Sequence, residues 1–285
     1  MTTLSAQIES IKASKMSKSN MKKAMLALGI TSYEADLLTA DIVTIKGASY
    51  TFGVEIEMLA PRHAIIERSE ANGLNIRYEG YNHRDNKSYF KFVSDSSICG
   101  ENPIECVSPV LSSNGGFVTL KNACKTINEA GAMVNRSTGL HVHIGADGLT
   151  DDQYTAVFVN YQHLEGVIDS FMARSRRGNN SQWCHTLQGI GFVFGHDKAS
   201  LALAMGSRYY KVNPCSYARH KTIEFRQHQG TTDYKKISMW VKFCAKLVNW
   251  SKTHTLTEDV TSIDDIAFLT KAEKDFFKGR AEQLA

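Results

Sequence analysis

Three short apolar runs each carry two polar residues at alternate positions: Glu55 and Glu57 in TFGVEIEM, His141 and His143 in GLHVHIGA, and Glu224 and Arg226 in TIEFRQ. Side chains alternate faces along a strand, so each pair points one way while Val54, Ile56, Val142, Ile144, Ile223 and Phe225 point the other. If the three strands share a sheet, one face gathers carboxylates, imidazoles and a guanidinium, and the opposite face packs a core. Clustered carboxylates repel one another unless a cation neutralises them. An isolated Glu-x-Glu reads as the solvent side of an edge strand. Its coincidence with His141, His143 and Glu224 in equally apolar strands favours metal ligation instead. Asp95, in SDSSI, and Glu105, which interrupts an apolar run, are candidate additions. The donors are mostly oxygen, which suits magnesium or manganese better than zinc; the second histidine is then available to hydrogen-bond phosphate or substrate.

Cations are the second ingredient. Arg174, Arg176 and Arg177 fall in ARSRRGNN, and Arg208 and Lys211 in SRYYKVNP, just before the strand with Glu224 and Arg226. Planar guanidinium groups match phosphate oxygens in pairs, so this supply suits a triphosphate. The run at 174–177 reads almost equally as a solvated helix end complementing the helix dipole. No GxxxxGKS, GxGxxG or GxSxG motif is present, which removes the usual nucleotide-loop and serine-hydrolase readings. His163, Trp183, Trp240 and Trp250 are expected to pack rather than act.

The elements that must position these residues follow from periodicity. Strands are predicted at Tyr50–Met58, Asn75–Tyr81, Ser88–Ser94, Ile104–Val110 (stopped near Pro109), Gly139–Gly145 and Lys221–Gln227. Helices are predicted from Val118 to Ala130, from Asp151 to about Met172, and through Met239, Trp240, Phe243, Leu247 and Trp250. Residues 174–200 read as loop-rich. Antiparallel strands with helices on one face define an α+β fold. The expected organisation is a helical extension at 1–46, one catalytic domain at 47–255 and a peripheral helical tail at 256–285. Within the extension, Met21–Leu28 is a strong helix former and a further segment is expected around Tyr33–Leu38.

Composition narrows the class. The 285 residues suffice for one large or two modest domains, and 22% charged residues suit a soluble globular protein. No apolar run reaches the ~20 residues of a membrane span, and no apolar h-region opens the chain, so a cytoplasmic protein without a membrane partner is expected. The six cysteines lack CxxC spacing, so reduced thiols are expected rather than a zinc ribbon or disulfide scaffold. Five lysines against Glu9 in residues 1–30 account for the whole net charge of +4. Nucleic acid is therefore a partner only through a basic N-terminal arm, and that arm reads more readily as a helical extension with its lysines in solvent.

Taken in order, FGVEIE, DSSI with IECVSP, STGLHVHIG, and RYYKVN with TIEFRQHQGT and a Trp-containing helix resemble the amidoligase family. That family belongs to the superfamily of carboxylate–amine ligases that includes glutamine synthetase and glutamate–cysteine ligase. The resemblance runs from about Thr51 to Ser251. It implies a curved antiparallel sheet with helices on its outer face, as in the glutamine synthetase catalytic domain, and a bacterial or phage origin. It also implies an ATP-dependent ligase that forms an amide through an acyl phosphate, joining a small-molecule or peptide carboxylate to an amine. Glu55, Glu57, Glu105 and Glu224 would hold magnesium, with His141 or His143 contributing. Arg174, Arg208, Lys211 and Arg226 would bind ATP, and Asp95, His143 and Arg226 would act in the chemistry. Competing readings are a guanidino-kinase-like phosphotransferase, a metal-dependent hydrolase and a non-enzymatic nucleic-acid-associated protein.

Overall fold

A computed structural model describes residues 50–80 and 88–285, together with residues 7, 10, 11, 14 and 16–29. The chain divides into two compact units, Met1–Lys46 and Gly47–Ala285. In the first unit, helix α1 (Lys18–Ala27) begins at Ser17, whose hydroxyl accepts a hydrogen bond from the Asn20 amide. The segment expected around Tyr33–Leu38 lies outside the described residues, as does Tyr81 at the end of an expected strand.

The second unit is an α+β fold built on one open, curved sheet. Its strands are β1 (Thr51–Leu59), β2 (Ile76–Tyr78), β3 (Phe90–Val93), β4 (Pro103–Val107), β5 (Leu111–Ser112), β6 (Leu140–Gly145), β7 (Val212–Asn213) and β8 (Thr222–Phe225). The spatial order is β2-β3-β4-β1-β6-β8-β7, with β5 added along β1. All pairings are antiparallel except β2 with β3, which is parallel and departs from the uniformly antiparallel sheet expected. Pro109 separates β4 from β5, as a residue without an N–H must in the middle of a ladder. Ser108 bridges the interruption: its hydroxyl accepts from the Val54 amide at 2.9 Å and donates to the Pro109 carbonyl at 2.8 Å.

One face of the sheet is the core. Phe52, Val54, Ile56 and Met58 of β1, Phe90 and Phe92 of β3, and Val142 and Ile144 of β6 are all buried. Helices cover this face: α3 (Ser113–Glu129) packs on β1, and α7 (Tyr234–Trp250) on β6. Helix α4 (Asp151–Ser170) packs on α7 and starts at a capping box in which Thr150 and Gln153 satisfy each other's backbone amides. Trp240 of α7 is fully buried and stacks on Phe243. The C-terminal helix α8 (Lys271–Leu284) closes the far side through Phe277, whose ring lies 4.6 Å from Phe171 and 5.5 Å from Phe243.

Helices α2 (Arg62–Ala71), α5 (Lys198–Met205) and α6 (Ser216–His220) were not expected from the sequence. In α2 only Ile65 and Ser69 are buried, so no apolar stripe marks it. No described helix is long and apolar enough to cross a membrane. The six cysteines are free thiols, four of them buried.

Candidate active site

The opposite face of the sheet lines a cavity of about 1000 Å³, large enough for a nucleotide and a second substrate. Register fixes its floor. Glu55 pairs with His141, Glu57 with Glu105, and His143 with Glu224 across three neighbouring strand pairs. Each polar residue therefore projects to the same side as its partner, while the intervening apolar residues go into the core. Two glutamates directly opposite each other, as Glu57 and Glu105 are, destabilise a sheet unless something offsets their charge.

His141 stands at the centre of the floor, almost fully buried. Its Nδ1 is 3.0 Å from Glu55 Oε2 and 3.6 Å from Glu224 Oε1, and its Nε2 is 3.5 Å from Glu57 Oε1. Two groups of donors result, Glu55–His141–Glu224 and Glu57–Glu105–His141, and within each the ligand atoms lie inside 4.8 Å of one another. His143 Nε2 lies 3.4 Å from Glu55 Oε1 yet is a buried polar atom with no hydrogen bond, while its Nδ1 meets Thr222 Oγ1 at 2.9 Å. Hard carboxylate oxygens, one shared imidazole and an orphaned buried nitrogen fit divalent cations of the magnesium or manganese kind.

The ionisation states follow from these contacts. Burial pushes the Glu105 carboxyl well above the usual range, and the charges of Glu55 and Glu57 push it further. Burial alone would also raise Glu55, but the charge of His143 and the hydrogen bond with His141 hold it well below. Glu224 is likewise lowered against the effect of burial, chiefly by Arg226. Burial would lower His143, and the charge of Glu55 overrides it and raises the imidazole. A cluster with one carboxyl driven toward its neutral form is short of positive charge.

Other side chains frame the floor. Arg226 follows β8 and hydrogen-bonds Glu224 Oε1 through Nη1, and Asn213 of β7 donates to Glu224 Oε2 at 2.6 Å. Arg208 and Arg226 both face the cavity and flank the Tyr209 ring, their guanidinium carbons 5.1 and 5.9 Å from its centroid. Asp95 lies on the wall, its Oδ1 accepting from the Ser97 amide and hydroxyl, each at 2.7 Å. The structure thus brings together Glu55, Glu57, Asp95, Glu105, His141, His143, Arg208, Glu224 and Arg226.

Two expected residues lie elsewhere. Lys211 is fully buried behind the sheet, its Nζ 2.7 Å from both Glu165 Oε1 and Asp169 Oδ1 of α4. Arg174 turns outward and donates to the Ala285 carbonyl at 3.1 Å. Its neighbour Arg176 reaches the cavity instead. Trp183, expected to pack, is part-exposed, lines the cavity and meets Tyr209 edge-on at 5.2 Å. No sequence signal marked it, because it comes from a loop with no periodicity. Asn213 was also missed, although its place two residues after Lys211 beside an expected strand was a clue. The other tryptophans do pack: Trp240 in the core and Trp250 against His254, while His163 pairs with Asp259.

The sequence model of a family described as "Putative amidoligase enzyme" matches residues 48–189 and 195–248, well over half of the chain. No curated protein matches significantly. Among solved structures, one described as "Crystal structure of novel glutamine synthase homolog" aligns at a TM-score of 0.36 and 9% identity, covering 82% of this chain and 64% of its own. The chain therefore spans less than two thirds of that protein, and at this similarity no residue role is carried over.

Proposed function

The chain belongs to the amidoligase family, and from that premise we propose that it joins a carboxylate to an amine at the expense of ATP. The observation that carries this reading is the pair of donor triads sharing His141 on the floor of a cavity whose wall presents Arg208 and Arg226. Direct condensation of a carboxylate with an amine is unfavourable at neutral pH, so the carboxylate is first phosphorylated. Its oxygen attacks the γ-phosphorus of ATP, ADP leaves, and an acyl phosphate forms. The amine nitrogen then attacks the acyl carbon, phosphate departs with the C–O bonding pair, and the amide remains after loss of a proton from nitrogen.

The bringing together of anions is the main barrier, and the residues are suited to lowering it. Glu55, Glu57, Glu105, Glu224 and His141 would hold divalent cations, which supply positive charge to phosphate and carboxylate oxygens. Arg208 and Arg226 bind phosphate oxygens, Arg226 being oriented by Glu224 and by the Trp183 carbonyl, to which its Nε donates at 3.4 Å. His143, with its Nδ1 engaged by Thr222, presents Nε2 to the reacting oxygens. Asp95 is the proton acceptor for the attacking amine, since Ser97 occupies Oδ1 and Oδ2 remains available.

Calorimetric titration with a non-hydrolysable ATP analogue tests the reading, with magnesium and with EDTA, on wild type and Glu55→Ala. Magnesium-dependent binding that disappears in the variant supports it. Binding that ignores both magnesium and the substitution sinks the metal assignment, and no binding to folded wild type sinks the ATP reading.

A further inference from the structure

Arg176 is buried to 5% exposure, yet among the described residues no carboxylate lies within ion-pair distance of its guanidinium. Its one hydrogen bond runs from Nη2 to the Thr138 carbonyl at 2.7 Å. A buried guanidinium has five N–H donors, and one that makes no direct ion pair keeps donors free for an anion that arrives with a ligand. Its location says which. A Cβ at Gly139 would lie 3.2 and 3.4 Å from Arg176 Nη2 and Nη1 and 3.3 Å from His141 Nε2, so the guanidinium borders the donor cluster.

Arg176 also lines both the main cavity and a smaller annex of about 180 Å³, as does Ser137. The annex is lined by Arg136, Arg176 and neutral polar side chains such as Asn180 and Gln182, with no carboxylate, and it shares Trp183 with the main cavity. Arg176 therefore belongs both to the acidic cavity and to an annex whose only other charged lining residue is Arg136. A ligand running from the metal-binding floor into the annex meets positive charge at both ends.

We propose that Arg176 and its annex bind a second anionic group, carboxylate or phosphate, carried by the acceptor whose first carboxylate is activated at the floor. The inference rests on the ligase reading, and it makes the acceptor a dianion rather than a simple monocarboxylic acid. Arg176 is thereby a specificity-determining residue.

The test uses the full-length protein with magnesium, titrated with the dicarboxylates from succinate to suberate, each against its monoamide, and with the phosphonate analogues of the same lengths. Trp183 fluorescence is the readout, with Trp183→Phe to identify the signal. Both members of each pair can place one carboxylate at the floor, so their affinity ratio isolates the second anion. At the best length the dianion is expected to bind about tenfold more tightly than its monoamide, as a charge-assisted paired hydrogen bond gives, and Arg176→Gln to bring that ratio to about one. A preference confined to the phosphonates assigns a phosphoryl group, and one for dicarboxylates a carboxylate. Equal binding of dianion and monoamide at every length, or a ratio unchanged in Arg176→Gln, overturns the inference. Binding of the ATP analogue by wild type is measured alongside: its presence with no dianion preference refutes only this inference, and its absence with the preference intact refutes only the ATP reading.

Discussion

Glu55 and His141 sit directly opposite each other in the β1–β6 pair, and their side chains meet at 3.0 Å on the cavity side. A register shift by one residue would bury both in the core and turn Val54 and Val142 toward the cavity. The site is thus fixed by the same pairing that fixes the hydrophobic core, and substitutions on the polar face should affect chemistry without unfolding the sheet. Glu55→Ala and Glu224→Ala are expected to leave the circular dichroism spectrum unchanged and to lower magnesium-dependent nucleotide turnover about a hundredfold or more, because each removes a proposed direct ligand and not only a supporting contact. Full turnover in both variants would rule out the metal assignment.

Gly139 has a specific reason to be glycine, because a methyl group there would press on both Arg176 and His141. Gly139→Ala is expected to weaken magnesium binding about tenfold, as displacement of a ligand's surroundings does. Calorimetric titration with magnesium chloride measures this, and unchanged affinity would show that both side chains yield freely.

Lys211 makes a buried ion pair with Glu165 and a part-buried one with Asp169 of α4, and Asp169 also accepts from the Gly178 amide at 2.7 Å, which ties the 174–187 loop to the helix. Removing the lysine strands the buried Glu165 carboxylate. Lys211→Met is expected to lower unfolding free energy by about 3–5 kcal/mol in urea titration. A loss below about 1 kcal/mol would mean that the network adds nothing to the fold.

The pH dependence of stability has an identifiable contributor in His228, which lies behind the sheet against Trp240 at 5.8 Å between ring centroids. Burial pushes its pKa down from 6.5 to about 4, and the nearby Arg280, Arg176 and Lys236 push the same way. The folded state therefore binds this proton less readily than the unfolded state. The stability it confers is present above pH 6.5 and is lost as pH falls from there toward 4. Its Nδ1 donates to the Gln229 carbonyl at 2.7 Å, so asparagine is the replacement that retains a donor. His228→Asn should flatten the fall in melting temperature over that window, and an unchanged slope would assign it to other groups.

The polar face was legible in the sequence because strand alternation is a local rule. Residues at i and i+2 share a face wherever the strand lies, so Glu55 with Glu57 and His141 with His143 declare a common side before any pairing is known. The core positions Val54, Ile56, Val142 and Phe225 follow from the same rule, as do the long helices from their apolar spacing. Long-range geometry is not local. Lys211 and Arg176 show the difference: each lies in a stretch of cations that suits phosphate, and only packing decides where each side chain ends. Lys211 falls one strand position before Val212 and is drawn to two carboxylates on α4, which lies 42 residues away in sequence at Asp169. Arg176, beside an outward-facing Arg174, turns inward because its short 3₁₀ turn at 174–176 places it against Thr138 and Gly139. Single-residue charge and propensity are alike for these lysines and arginines, so sequence alone establishes that cations are supplied. Which of them face the cavity depends on contacts between segments distant along the chain, and those exist only once the sheet, α4 and the loop have come together.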